Sequence, residues 1–368
     1  MPTSNKEVDK IELFFDLVFV FTFIQLTLKL EHHLDFLTFI ETVVLMALIW
    51  YIFEGFIWLT NTTELTSKNY RIFLVLGMSG FMLISVSIPL AFTRDGFIFA
   101  LGYLIVVSTH ALLFVSHSNE DTRRAIIGIV PYNIMFAIGL LVASLFDSPV
   151  RLIAWGLIAI IAIVGPLLQR NKGSFHVSPS HFLERHYLIL VIALGETIAS
   201  TGRAVIDETL TPDVLMAMLL CLALTVLLWI SYVSKDQQRE LAFTKLDDQK
   251  RDQIAKISFF TSHFLMFFGI VLLAVVMIAV IHSLLAPLHL PERLVLLGGM
   301  TLFSSGIVYF NRLFLSFSLR RFLLFLAVQL VLFFVYVTPA ILLLLISCIA
   351  YYLFMFDLAK TKDVQDNQ

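Results

Sequence analysis

The chain has 368 residues, of which 59% are hydrophobic and only 14% charged, and its mean hydropathy is +0.91. Such a composition lies far from that of soluble domains and reads as an integral membrane protein. A formal charge of -2 offers nucleic acid no basic surface, and no zinc, phosphate-loop or dinucleotide spacing is present, so neither metal nor cofactor is expected.

From the N-terminus, the first apolar run opens as Ile11-Glu-Leu-Phe-Phe-Asp16 behind Lys6 and Lys10. Asp16 interrupts the run and no small-residue cleavage site follows, so it is expected to be a retained span rather than a signal peptide. Continuing along the chain, a window of about 20 residues places twelve spans at about 13-30, 37-59, 71-92, 96-115, 125-145, 151-168, 183-201, 213-233, 254-282, 294-311, 322-337 and 340-357. The expected fold is therefore an all-α, polytopic membrane helical bundle of about twelve spans, with residues 1-368 forming one membrane domain. Only Thr338-Pro339 separates the last two runs, which could also form one long or re-entrant element. Cys221 and Cys348 both fall within apolar runs, as small hydrophobes rather than disulfide partners.

Cytoplasmic loops collect Lys and Arg. With the N-terminus inside, all but five of the 25 basic residues fall on cytoplasmic segments, the five being Lys29, Arg94, Arg151, Arg203 and Arg293. Both termini are then expected to be cytoplasmic. The polar segment Ser234 to Gln253 balances its charges and is expected to be a solvated cytoplasmic linker. An internal duplication is a further expectation, with repeats at 8-175 and 176-360. It pairs Glu12 with Glu184, Gln25 with Glu196 and Trp50 with Trp229, in two parallel sets of six spans.

Ionisable groups inside spans are costly, at about 2.5 to 3.5 kcal/mol on insertion scales, and normally face the protein interior. Glu12 and Asp16, four residues apart, share a helix face. Glu54 shares a stripe with Trp50, Trp58 and Asn61, and His110 one with Tyr103 and His117. His181 and Arg185 open the seventh run, whose face continues to Glu196. Glu12, Asp16, Glu54, His110, His181, Glu184, Arg185 and His186 group near the cytoplasmic ends, while Gln25 and Glu196 reach toward the middle. Two readings follow. One is a polar cavity that opens to the cytoplasm and ends at Glu196, a proton or cation carrier helped by close approach at Gly195. The other is a structural network in which Arg185 neutralises carboxylates and Gln25, Asn133 and Gln329 are interhelical glue. Glu196 has no basic residue within a turn, so its partner is expected on another helix or is a proton. His263 is expected to be structural.

Two stretches closely resemble the signature helices of the bacterial low temperature requirement protein A family. They are Glu12-Leu-Phe-Phe-Asp-Leu-Val-Phe-Val-Phe21 with Gln25-Leu26, and Val177-Ser-Pro-Ser-His181-Phe-Leu-Glu184-Arg185 leading to Val191-Ile-Ala-Leu-Gly195-Glu196-Thr197. Trp58-Leu-Thr-Asn61 and Phe99-Ala-Leu-Gly102-Tyr103 with His110 support the match. Phe53-Glu54 and His186-Tyr187 depart from the pattern. The resemblance implies a multi-span protein of the bacterial inner (plasma) membrane linked to growth in the cold, and no particular substrate. The expected partners are the lipid bilayer and an ion or small-molecule solute, with association into homo-oligomers left open. A secondary transporter or channel, with or without proton coupling, accounts best for the embedded carboxylates. A membrane sensor or scaffold, and an intramembrane enzyme acting on lipid or lipid-linked groups, are the alternatives; the latter lacks a clear nucleophile or metal spacing.

Overall fold

The structure, a computed structural model, describes residues 8–63, 68–168, 175–206, 208–314 and 318–355. Both chain ends, whose cytoplasmic placement the charge pattern suggests, and the last residues of the expected second repeat lie outside the described residues. The chain packs as two compact units, one holding residues up to Ile192 together with Thr244–Phe260, the other Ala193–Phe243 and the residues from Thr261 onward.

The first unit contains α1 (Lys10–His32), α2 (Phe36–Thr62), α3 (Lys68–Ser87), α4 (Gly96–His117), α5 (Glu120–Ile127), α6 (Val130–Ala143) and α7 (Val150–Leu168). It also holds the start of α8 (Pro179–Ala204), α11 (Asp248–Ile254) and a π-turn at Ala255–Phe259. Asp9 caps α1: its carboxylate accepts from Ile11 N at 3.1 Å while Glu12 Oε2 accepts from Asp9 N at 2.9 Å, a reciprocal capping box. Asp35 caps α2 through Thr38 N, and that backbone bond holds its carboxyl below the usual range. The core is aromatic, with Phe15 stacked on Phe56 at 4.7 Å and Phe81 edge-on to Phe15 at 5.4 Å. At the crossing of α3 and α4, Gly80 and Gly102 face each other so closely that a Cβ on Gly102 would lie 2.8 Å from Gly80 O.

The second unit contains the end of α8, then α9 (Pro212–Val233), α10 (Asp236–Thr244), α12 (Phe260–His282), α13 (Leu290–Phe314), α14 (Leu319–Phe334) and α15 (Ala340–Met355). Gly269 and Gly299 mark the crossing of α12 and α13, where a Cβ on Gly269 would lie 2.8 Å from Gly299 O. The last two apolar runs are separate helices. Their connection is fixed by Ala340 N donating to Ala286 O at 2.9 Å and Ile341 N to Leu284 O at 3.0 Å.

Helix occupies each of the twelve apolar runs, and no strand is formed among the described residues. Seven helical stretches are long and apolar enough to cross a membrane: Lys10–His32, Phe36–Thr62, Tyr70–Leu90, Gly96–His117, Pro212–Thr244, Asp248–His282 and Leu290–Arg312. Val130–Ala143, Val150–Gly165 and Ala340–Met355 are apolar but shorter. The other two runs differ for chemical reasons. α8 carries Glu184, Arg185, Glu196 and Arg203, and α14 is a 16-residue helix that opens on Arg320 and Arg321. Outward faces are apolar, as at Phe14, Leu17, Ile72, Ile160, Leu219 and Leu330, the inverse of a water-soluble bundle.

Most residues from Ser234 to Gln253 are exposed, as the charge balance suggests, but the segment is anchored by a few buried side chains. Most of it is helix, and Arg239 is fully buried, bonded to Asn311 Oδ1 at 3.0 Å, Asp236 and the Tyr232 carbonyl, and packed against both the Tyr232 and Phe310 rings, which stack on each other. Asp252 is buried as well, accepting Phe175 N at 2.7 Å. His263 pairs with the Tyr232 hydroxyl at 2.8 Å, consistent with a packing role.

Candidate functional site

The α1 carboxylates meet the start of α8 in the first unit. Arg185 forms a fork on Asp16, Nε to Oδ2 at 3.1 Å and Nη2 to Oδ1 at 2.5 Å. Its Nη1 donates to Thr60 Oγ1 at 2.7 Å and stands 3.4 Å from Glu12 Oε1. His181 Nε2 lies 3.0 Å from Glu12 Oε2. One turn beyond, His186 Nε2 lies 3.2 Å from Glu54 Oε2. Every one of these six titratable side chains is buried.

Hydrogen-bond partners fix where protons reside. Asn61 Oδ1 accepts from Ser178 N at 2.9 Å and its Nδ2 donates to Ser178 O at 3.1 Å, which sets the orientation of the amide. The same Nδ2 faces His181 Nδ1 at 3.1 Å, so that ring nitrogen accepts. His181 is then neutral, carries its proton on Nε2 and donates it to Glu12. His186 Nδ1 faces the Phe182 carbonyl at 2.8 Å and must carry a proton there. The contact between His186 Nε2 and Glu54 Oε2 then requires one further proton, held by either the imidazole or the carboxyl.

The Glu12–Asp16–Arg185 group has two carboxylates against one guanidinium. Glu12 lies in the first turn of α1, where the backbone dipole favours an anion. Among the described residues, Glu12 Oε1 and Glu54 Oε1 are buried oxygens without a hydrogen-bond partner.

Glu54 also lines a cavity of about 120 Å³ between α2, α4, α6 and the turn that starts α12. His110 lines it as well, its Nε2 donating to Gly55 O at 3.0 Å, and so do Tyr51, Asn133, Trp58 and Lys256. Tyr51 OH donates to Asn133 Oδ1 at 2.6 Å.

Of the residues singled out in the sequence, Glu12, Asp16, His181 and Arg185 come together, and Glu54 and His110 share the cavity. The rest stand apart. Glu184 is exposed, because its neighbour Arg185 points inward and adjacent helical residues diverge by about 100°. Gln25 is half-buried outside the cluster. Glu196 belongs to the second unit, and its partners come from its own helix rather than another: Arg203 Nη2 at 2.7 Å and Ser200 Oγ at 2.9 Å. Seven residues make two turns, a reach that a long Arg side chain covers. A Cβ at Gly195 would meet nothing within 4 Å among the described residues, so the close approach expected there is absent. Sequence reasoning placed His186 in the same polar group without pairing it to Glu54, and missed Lys256 and Tyr51. The stripe through Glu54 and Trp58 was the signal that could have pointed to this cavity.

The family model described as Bacterial low temperature requirement A protein matches residues 7–356. A protein of Rhizobium meliloti (strain 1021), described as uncharacterized, is 26% identical over 316 residues, covering 82% of this chain and 76% of that protein. No solved structure matches the chain. The chain belongs to the bacterial low temperature requirement A family.

Proposed function

We propose that this low temperature requirement A protein is a proton-coupled secondary transporter of a small solute in the bacterial inner membrane, and that its transport supports growth in the cold. The observation that carries the reading is the Glu54–His186 pair. It is a buried imidazole–carboxyl contact at 3.2 Å, a pairing through which a proton can pass, and Glu54 forms part of a cavity wall. A proton so placed can respond to what occupies the cavity, which is the minimum that coupling requires.

The same proposal takes the chain across the membrane twelve times, in two six-span halves with both termini cytoplasmic. The glycine crossings favour the halves. Gly80 and Gly102 join the third and fourth spans of the first half, and Gly269 and Gly299 join the third and fourth of the second.

The test is reconstitution of the purified full chain into liposomes loaded with a pH-sensitive dye. Small amino acids, organic acids, sugars and inorganic cations would be added outside in turn. The proposal expects one solute class to drive proton movement that empty liposomes lack. Correctly folded, reconstituted protein through which no solute moves protons would overturn it.

A further inference from the structure

We infer that the four residues leading into α8, Phe175 to Ser178, form a strap that gates the cavity beside Glu54, and that α11 is its latch. The gate is argued from contacts within the first unit; that it serves transport rests on the reading above.

Phe175 is the part of the strap that meets the cavity. Its buried ring forms part of the wall, edge-on to Trp58 at 5.0 Å and to Phe114 at 6.1 Å. The residue lies outside any helix, so the position of that ring depends on what holds the strap. Phe175 N and Val177 N both donate to one carboxylate, that of Asp252 on α11, at 2.7 and 3.4 Å. Two N–H groups separated by one residue converge on an anion only where the chain between them curls. His176 supplies the curl at φ 50°, in the left-handed region that a residue with a Cβ enters at a cost.

Two attachments result, and they differ in what release requires. At Ser178 the Asn61 amide binds both the backbone N–H and the carbonyl, and the same amide faces His181, so this end is anchored to the buried charge cluster. At the other end, Asp248 accepts from His176 Nδ1 at 3.0 Å and from Arg251 Nη1 at 2.9 Å. The His176–Asp248 pair is half exposed, and such contacts exchange with water at little cost. The closed position therefore stands on Asp252, which works against the strain at His176. Once the carboxylate lets go, His176 relaxes and nothing restores the curl. Strain held in place by a few neighbours is the property of a segment with two positions. Release takes Phe175 out of the wall and opens the cavity to water on the side expected to be cytoplasmic.

Thiol labelling of the detergent-purified full chain tests this. Cys221→Ala and Cys348→Ala remove the native thiols, and Val107→Cys, a change of small volume, puts a reporter in the cavity wall. The reagent is 2-aminoethyl methanethiosulfonate, a cation that arrives through water, and intact mass follows the rate. In this background, labelling much slower than in the denatured chain is expected. Asp252→Ala should speed it by about tenfold or more, since two backbone N–H groups lose their acceptor. Phe175→Ala, which removes the plug itself, should label as fast. His176→Ala and His176→Gly both lose the imidazole, but only glycine takes φ 50° without cost, so the alanine variant should label about fivefold faster than the glycine one. If Asp252→Ala fails to fold, Asp252→Asn, which keeps one acceptor oxygen, and the two His176 variants carry the test. A reporter that labels quickly with the strap intact, or at one rate in the background and in the Asp252 and His176 variants, overturns the gate. Labelling that follows the strap while no solute moves protons in liposomes leaves the gate standing and removes the transport reading. Solute-driven proton movement with labelling indifferent to the strap does the reverse.

Discussion

Arg185 and Arg203 lie on the same helix, and each binds a carboxylate, in settings of different consequence. Arg185 is completely buried and answers to two carboxylates, Asp16 by a fork and Glu12 at 3.4 Å. Arg203 leaves 31% of its side chain exposed and binds one carboxylate, Glu196, with Ser200 between them. A charge that keeps part of its hydration can rearrange when its partner is lost, whereas a fully desolvated one cannot. The Arg185 group therefore fixes geometry and holds Glu54–His186 in a rigid frame, while the Arg203 group is a local one-to-one neutralisation.

The contrast can be broken by deletion. Arg185→Leu leaves two buried carboxylates uncompensated and should cost about 3–5 kcal/mol, enough to remove most folded protein from the membrane. Adding Asp16→Asn should restore part of the yield, as read by fluorescence-detected size exclusion. Equal yields for the single and double variants would show that the fork is not what matters.

Second in size, Gly102→Ala pushes a methyl to within 2.8 Å of Gly80 O and should cost about 1–3 kcal/mol in thermal unfolding. Gly269→Ala should do the same for the crossing in the second unit, where Gly299 O stands at 2.8 Å. Unchanged melting in either variant would refute that crossing.

Arg203→Leu is expected to cost less than Arg185→Leu, about 3 kcal/mol at most, because it strands one buried carboxylate instead of two and Ser200 still donates to it. A loss as large as that of Arg185→Leu would erase the distinction between the two arginines. Smallest of all, Gly195→Ala meets open space in a helix interior and should raise stability by about 0.5–1 kcal/mol. A destabilised Gly195→Ala protein would instead restore the close approach that the sequence suggested.

The meeting of Glu12, Asp16, His181 and Arg185 was legible because charges in apolar helices must find one another, and helical spacing placed each pair on a single face. The helical class and the twelve apolar runs were legible for the same compositional reason. His186 was harder to read. It adjoins Arg185 in sequence and looked like a departure from the family pattern, but the extra 100° or so of helix turns it to Glu54 rather than Asp16. Glu184 shows the opposite error, since proximity in sequence to a buried Arg does not bury a carboxylate. Arg203 escaped because one turn was too short a search for a side chain that reaches two. Residues 236–244 and 248–254 form helices whose charges conceal any apolar period, so Arg239, packed against two aromatic rings, had no signature in the sequence.

The central assertion is that the working proton belongs to Glu54 and not to Glu196. Parent, Glu54→Gln and Glu196→Gln proteins, each reconstituted at equal density in dye-loaded liposomes, should be compared for solute-driven proton movement. Glutamine keeps shape and hydrogen bonding but cannot titrate, so Glu54→Gln should fall by about tenfold or more while Glu196→Gln stays close to the parent. Proton movement that survives Glu54→Gln and vanishes in Glu196→Gln would contradict the account.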